Sequence, residues 1–241
     1  MVKAKFRNHR PFNERSKKSS SKKPKKRFYI ICEGKKTENQ YFNGIFNYRV
    51  ELGIDQLIDI VVIEQLDNHI PHPMYLAEAC KYTIDNIEKP DYFDANELNL
   101  EAYDSNIDEI WLIFDRDPKT FFKWQYDKVK EICEVYDLNM GMTNPNFEFR
   151  LLLHLPDIQD YNREELFQNK KNLSTGRRYL ERELDFRLPG GYSKGNIIFE
   201  RFKDNVSLAL EQSREFETRE SNILDSLGTT VQKLILRMKE D

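Results

Sequence analysis

Three acids in this chain stand directly after short apolar runs. Glu33 follows Phe28-Tyr29-Ile30-Ile31-Cys32, and Asp115 and Asp117 follow Ile110-Trp111-Leu112-Ile113-Phe114. A continuous apolar run of that length reads as a strand buried on both faces. In open α/β sheets, functional groups gather at the carboxyl ends of such strands. The Asp-Arg-Asp spacing points both carboxylates to one side wherever strand geometry continues. Converging carboxylates suit a hard divalent cation, Mg²⁺ with Mn²⁺ as substitute, because it takes oxygen ligands and keeps waters for phosphate oxygens. The chemistry this suggests is phosphoryl transfer, in which a metal orients the phosphate and stabilises the attacking and leaving oxygens. Taken alone, Asp-x-Asp is a common surface pattern. Two buried strands that both end in acid favour a site.

Further groups could join these acids. Gly34 permits a close backbone approach or a positive φ. Lys35 and Lys36 could touch phosphate or stay solvated. Glu38 falls in the first turn of a helix, where it completes a metal shell or merely favours the helix N-terminus. Asn144-Pro145-Asn146-Phe147-Glu148 leads to an acid amid Phe147, Phe149 and Leu151–Leu153. A carboxylate on so apolar a helix is paired or coordinated if buried. It either serves a metal or pairs with a cation such as Arg150. Lys194, in Gly-Tyr-Ser-Lys-Gly, could reach a scissile phosphate, although a loop lysine is commonly solvated. His154 reads as a helix-end residue rather than a ligand. No His/Cys cluster, P-loop, GxSxG elbow or GxGxxG occurs.

The elements that must position these groups can be read from periodicity. Strands are expected at 28–32, 58–63, 110–114 and 139–143. Helices are expected after Thr37 (a candidate N-cap), over 73–88, over about 120–137 and over 147–154. Residues 90–107 are acidic and irregular. This alternation predicts an α/β fold with a parallel sheet of about four strands and helices on both faces. After Pro156 the strand signal ends. Helical patterns over 161–187, 194–216 and 222–239, broken at Pro189-Gly190-Gly191, suggest a C-terminal helical appendage. The expected organisation is a basic disordered tail (1–26), an α/β catalytic core (27–156) and a helical C-terminal region (157–241).

Composition narrows the class. The chain has 241 residues, 39% apolar and 33% charged. No run approaches ~18 consecutive apolar residues, so no membrane span is expected, nor does a signal-peptide pattern follow Met1. Cys32, Cys80 and Cys133 are too far apart for a CxxC zinc site or a dense disulfide framework, and a reducing cytoplasm is the simplest compartment. The net charge of −3 hides an asymmetry: residues 1–27 carry +11 and the remainder −14. A basic arm on an acidic body suits an anionic partner, or serves as a solubilising tail.

The residues Ile31-Cys-Glu-Gly-Lys-Lys-Thr-Glu-Asn39, Ile113-Phe-Asp-Arg-Asp117 and Asn144-Pro-Asn-Phe-Glu-Phe-Arg-Leu-Leu-Leu-His154 together resemble the RloB family. So, more loosely, does Leu227-Gly-Thr-Thr-Val-Gln-Lys-Leu-Ile235. The likeness is good over about residues 27–155. Arg150 departs from it, since an aromatic is common before the leucines. The resemblance implies a topoisomerase–primase (TOPRIM-like, Rossmann-like) core, a metal site and a role in prokaryotic defence against phage. It implies as partners a nucleic acid (RNA or DNA) and an ABC-type ATPase, and leaves homo-oligomerisation open.

Two functions compete. In a Mg²⁺-dependent nuclease, Asp115 and Asp117 hold metal and Glu33 coordinates it or acts as general acid/base. Glu38 and Glu148 complete or orient the shell, and Lys194 meets the phosphate. In a non-catalytic subunit, the core and arm only bind a partner or nucleic acid. Presence of all three core acids favours the enzyme. A primase or topoisomerase is the weaker reading, because the chain lacks room for the further domains and no tyrosine stands out as a nucleophile. Deleting residues 1–26 is expected to weaken nucleic-acid binding and to lower the slope of log K against log salt by about 0.7–0.9 per lost phosphate contact. A salt titration of both forms checks this, and an unchanged slope excludes the arm from phosphate binding.

Overall fold

The computed structural model describes residues 24–63, 72–87, 98–100 and 102–240. Most of the basic arm and part of the acidic 90–107 stretch lie outside the described residues. The first strand, β1 (Lys26–Cys32), leads to helix α1 (Thr37–Asn47), then β2 (Ile58–Ile63) and α2 (Pro73–Asn86). Next come β3 (Glu109–Asp115), α3 (Lys123–Tyr136), β4 (Leu138–Asn144) and α4 (Phe147–Leu152). Short helices follow: α5 (Arg163–Gln168), α6 (Tyr179–Arg187), α7 (Glu200–Lys203) and α8 (Val206–Ser213). Strand β5 (Gly228–Thr229) and helix α9 (Val231–Glu240) complete the order.

The sheet runs β2-β1-β3-β4-β5. Its first four strands are parallel, and the two central ones, β1 and β3, carry the longest apolar runs, as strands covered on both faces do. Alternate side chains of β1 enter two separate cores. Phe28, Ile30 and Cys32 meet α1, α4 and the C-terminal helices, whereas Tyr29 and Ile31 meet α2 and α3. The three described cysteines are buried and free. From β1 the chain moves one strand outward to β2, then crosses over β1 to β3. The order therefore reverses between β1 and β3, and their carboxyl ends flank a crevice where ligands bind in such folds.

Four local expectations change. Thr37 is not the cap: Lys36 occupies that position without a side-chain cap, and Thr37 opens the helix. The helical pattern over 161–187 breaks because Asn169 adopts the left-handed conformation, its N–H closing onto Glu165 O. A hairpin then joins α5 to α6. The strand signal does not end at Pro156, for β5 pairs antiparallel with Thr143 and Asn144 of β4. Between α8 and β5 the chain carries no helix, so the patterns over 194–216 and 222–239 shorten to α7, α8 and α9. The expected helical appendage therefore also contributes a short edge strand. α9 buries Val231, Leu234, Ile235 and Met238 in the β1 core.

Helices α1 and α4 are joined by a buried polar cluster. Arg150, fully buried, donates from Nη2 to Tyr41 Oη (3.2 Å) and from Nη1 to Ala209 O (3.2 Å). Tyr41 Oη lies 3.1 Å from His154 Nε2, and His154 Nδ1 lies 3.1 Å from Arg150 O. With the guanidinium donating to it, the Tyr41 hydroxyl donates to Nε2, and His154 is neutral with its proton on Nδ1. Burial, and then the Arg150 charge, hold its pKa well below the usual histidine value. Rings of Phe42, Phe147 and Phe199 pack edge-on around Tyr41. Tyr41→Phe is expected to lower stability by about 1–3 kcal/mol, because it strands two buried polar groups while changing little volume. Urea unfolding with an unchanged m-value checks this.

Candidate active site

The crevice opens into a cleft of about 1170 Å³ lined by Glu33, Glu38, Asp115, Asp117 and Asn146 among others. Register explains the first contact. Cys32 pairs with Ile113, and Glu33 N–H donates to Ile113 O at 2.7 Å, so Glu33 leaves β1 level with the last residues of β3. Its Oε2 accepts the Asp115 backbone N–H at 3.2 Å. Glu38 turns back from the first turn of α1 against Gly34. A Cβ on Gly34 would stand 2.0 Å from Glu38 Oε2, so close approach rather than a positive φ explains that glycine.

The carboxylates burden one another. Burial raises Glu33 from 4.5 to about 7; the Asp115 N–H opposes this, while Glu38 and Asp117 add to it. Burial raises Glu38, its own backbone N–H opposes, Glu148 adds to the rise and Lys194 offsets it. Asp115 lies well above the usual aspartate value, through burial first and then Glu38, Glu148 and Glu33. Glu148 is buried behind the cleft. Its Oε1 accepts from the Tyr192 hydroxyl (3.0 Å) and lies 3.3 Å from Lys194 Nζ. Burial works against the Lys194 charge, but Glu148 and Asp115 outweigh it, and its pKa rises.

A loop docked on α1 brings Lys194 there. Gly195 N–H donates to Thr37 Oγ1 (3.0 Å), Gln40 Nε2 to Gly195 O (2.9 Å), and Ile197 N–H to Gln40 Oε1 (2.8 Å). Thr37, Gln40 and Tyr192 thus hold the site together, and sequence reasoning missed these roles. The only local signal was their nearness to Glu38 and Lys194 along the chain.

The structure groups Glu33, Glu38, Asp115, Glu148 and Lys194. Asp117 stands two residues beyond the end of β3. Its Oδ1 accepts the Lys119 backbone N–H at 2.9 Å as the chain turns, although it lines the cleft and acts electrostatically on Glu33. β3 ends at Asp115, and Asp115 and Asp117 both line the cleft. His154 is a buried structural residue, as expected of a non-ligand.

Among the described residues, no three His, Cys, Asp or Glu side chains are grouped to hold a metal ion between them. Mg²⁺ does not need such a cage, since it binds through one or two carboxylates with waters and substrate phosphates. The donor set fits that ion. The donors are hard oxygens, and their mutual repulsion is of the kind a cation relieves. Asn146 Oδ1, on the cleft wall, is buried without a hydrogen-bond partner. Glu33, Glu38, Asp115 and Asp117 are the residues that could hold it.

A family model described as RloB-like protein matches residues 28–238, and the chain belongs to that family. No curated protein and no solved structure matches it. No helix among the described residues is long and apolar enough to cross a membrane.

The raised Glu33 pKa has a defined sign. A carboxyl that binds its proton more tightly when folded costs no stability below about pH 4.5, its unfolded value, and lowers stability as pH rises toward about 7. Glu33→Gln is therefore expected to raise the metal-free melting temperature by a few degrees near pH 8, with the gain fading near pH 5 where wild-type Glu33 is protonated. Thermal melts in EDTA across pH check both arms.

Proposed function

We propose that this member of the RloB-like family is a divalent-cation-dependent nuclease that hydrolyses phosphodiester bonds. The observation that carries the reading is the cluster of mutually destabilised carboxylates at the β1–β3 crevice, with Lys194 beside it. Carboxylates kept half-buried in each other's field are out of place structurally and serve a cation or a proton transfer. Bound at this crevice, Mg²⁺ would polarise the scissile phosphate and the attacking water.

The protein's own groups divide the remaining work. Asp115 and one further carboxylate, Asp117 or Glu38, would hold the cation, with waters completing its shell. Glu33, pushed up to about 7 in the metal-free protein chiefly by burial, is the group assigned to proton transfer. Water adds to phosphorus, the P–O bond to the leaving oxygen breaks, Glu33 delivers its proton to that oxygen, and the proton shed by the attacking water passes through solvent to restore Glu33. Lys194 offers positive charge to a non-bridging phosphate oxygen. Glu148 and Tyr192 aim that lysine, and Glu148 has little access to substrate because it is buried. The family resemblance supports a setting in prokaryotic anti-phage defence, in the cytoplasm, with an ABC-type ATPase as companion.

Incubation of the protein with labelled tRNA, plasmid and single-stranded DNA tests the reading. Cleavage is expected with Mg²⁺ or Mn²⁺, and none with EDTA or with Asp115→Asn. Glu33→Gln is expected to slow it by about 10²–10⁴-fold. Binding without cleavage under every condition would replace the enzyme with a binding subunit.

Glu148→Gln separates aiming from folding. It keeps the shape and the Tyr192 contact but removes the charge facing Lys194. Cleavage is expected to fall while the melting temperature holds or rises. A large loss of stability with cleavage intact would make Glu148 a purely structural partner of Lys194.

A further inference from the structure

One wall of the cleft is a short hairpin between α5 and α6, and no catalytic step uses it. Lys171 and Arg178 form an antiparallel bridge. Asn172 N–H donates to Arg177 O (2.8 Å) and Gly176 N–H to Asn172 O (2.9 Å). The Asn172 side chain accepts from the Ser174 and Thr175 backbone N–H groups. Below the turn, buried Asn169 accepts the Leu180 N–H at 3.0 Å, and Arg177 pairs with Asp185. The hairpin is thus pinned at its tip and at its base.

Its charges are unevenly used. Arg177 faces Asp185 on α6. Lys170, Lys171 and Arg178 line the cleft and form no ion pair among the described residues, although Lys194 nearby is paired. Lys35, Lys36 and Lys119 line the same cleft. Leu173, at the tip, is 98% exposed. An acidic floor repels a polyanion, so a phosphate chain reaches it only where flanking cations compensate. Three cations carried by one pinned hairpin suit successive phosphates of one backbone. At about 1170 Å³, little more than a drug-sized pocket, the cleft takes a few nucleotides of one strand rather than a duplex. An apolar side chain beyond the cations meets a base face once that base is unstacked.

We propose that the 170–178 hairpin is a strand clamp: Lys170, Lys171 and Arg178 grip the backbone of a single-stranded segment of nucleic acid, and Leu173 packs on an unpaired base. This rests on the nuclease reading for its purpose but not for its measurement. The test compares the full chain with Lys170→Ala/Lys171→Ala/Arg178→Ala, and with Leu173→Ser, by fluorescence anisotropy in EDTA. The probes are a labelled single-stranded oligonucleotide and its blunt duplex. The basic arm contributes equally to every form, so differences isolate the hairpin.

The triple variant is expected to bind the single strand about tenfold or more weakly, with a salt slope smaller by about 2, near 0.7 per lost contact. Duplex binding and melting temperature should change little. Leu173→Ser should weaken single-strand binding severalfold at an unchanged salt slope. Should the triple variant fold poorly, Lys170→Gln/Lys171→Gln is expected to lower the slope by about 1.4. An unchanged slope in a folded variant overturns the clamp, even if the wild type cleaves. An equal loss on duplex overturns the single-strand assignment. A reduced slope with no cleavage by the wild type keeps the clamp and overturns the nuclease.

Discussion

Negative charge concentrated in one half-buried crevice is the constraint around which this protein is arranged. Like charges brought together out of water raise one another's proton affinity, and nothing in the packing of a parallel sheet calls for them. Their neighbours are best understood as responses to that field. Gly34 gives up its side chain so that Glu38 can turn inward. Lys194, the nearest cation, arrives from far along the chain on a loop that hydrogen-bonds to α1. Glu148 lies outside the cleft and faces that lysine, so the lysine's charge is shared between a buried acid and the open floor.

Holding such a group in place needs stiffness behind it. Glu38 and Glu148 ride on α1 and α4, and the Arg150–Tyr41–His154 cluster bonds those helices directly. Buried polar groups of this kind stabilise only when their partners are all present. Here one guanidinium nitrogen, Arg150 Nε, is without a partner. The bonds are directional, unlike apolar contacts, and so favour one relative placement of the two helices. Arg150 is thus part of the brace behind the site.

Much of this was legible in the residues. Strands buried on both faces have to be apolar throughout, so β1 to β3 stand out, and the acids that end them mark the crevice. What escaped notice depends on distance rather than on pattern. β5 is two residues long and has no period to detect. Asn169 breaks a helix through a backbone conformation that its polar neighbours would not reveal. Thr37 looked like a cap because its type suits one, yet its hydroxyl serves Gly195, 158 positions away.

The pairing of β5 with β4 has a consequence for the order in which the molecule assembles. The exposed edge of the sheet is closed by Gly228 and Thr229, and one core face by residues as late as Met238. On a growing chain, β1 to β4 would be made well before their seal. An unpaired edge beside an open apolar face invites pairing with other chains. Contacts so remote in sequence also form slowly, because loop-closure entropy is lost before they add stability. The carboxylate crevice would thus exist in outline before β5 and α9 are made and become rigid only once they pack. β5 and α9 are thus the safeguard against premature aggregation.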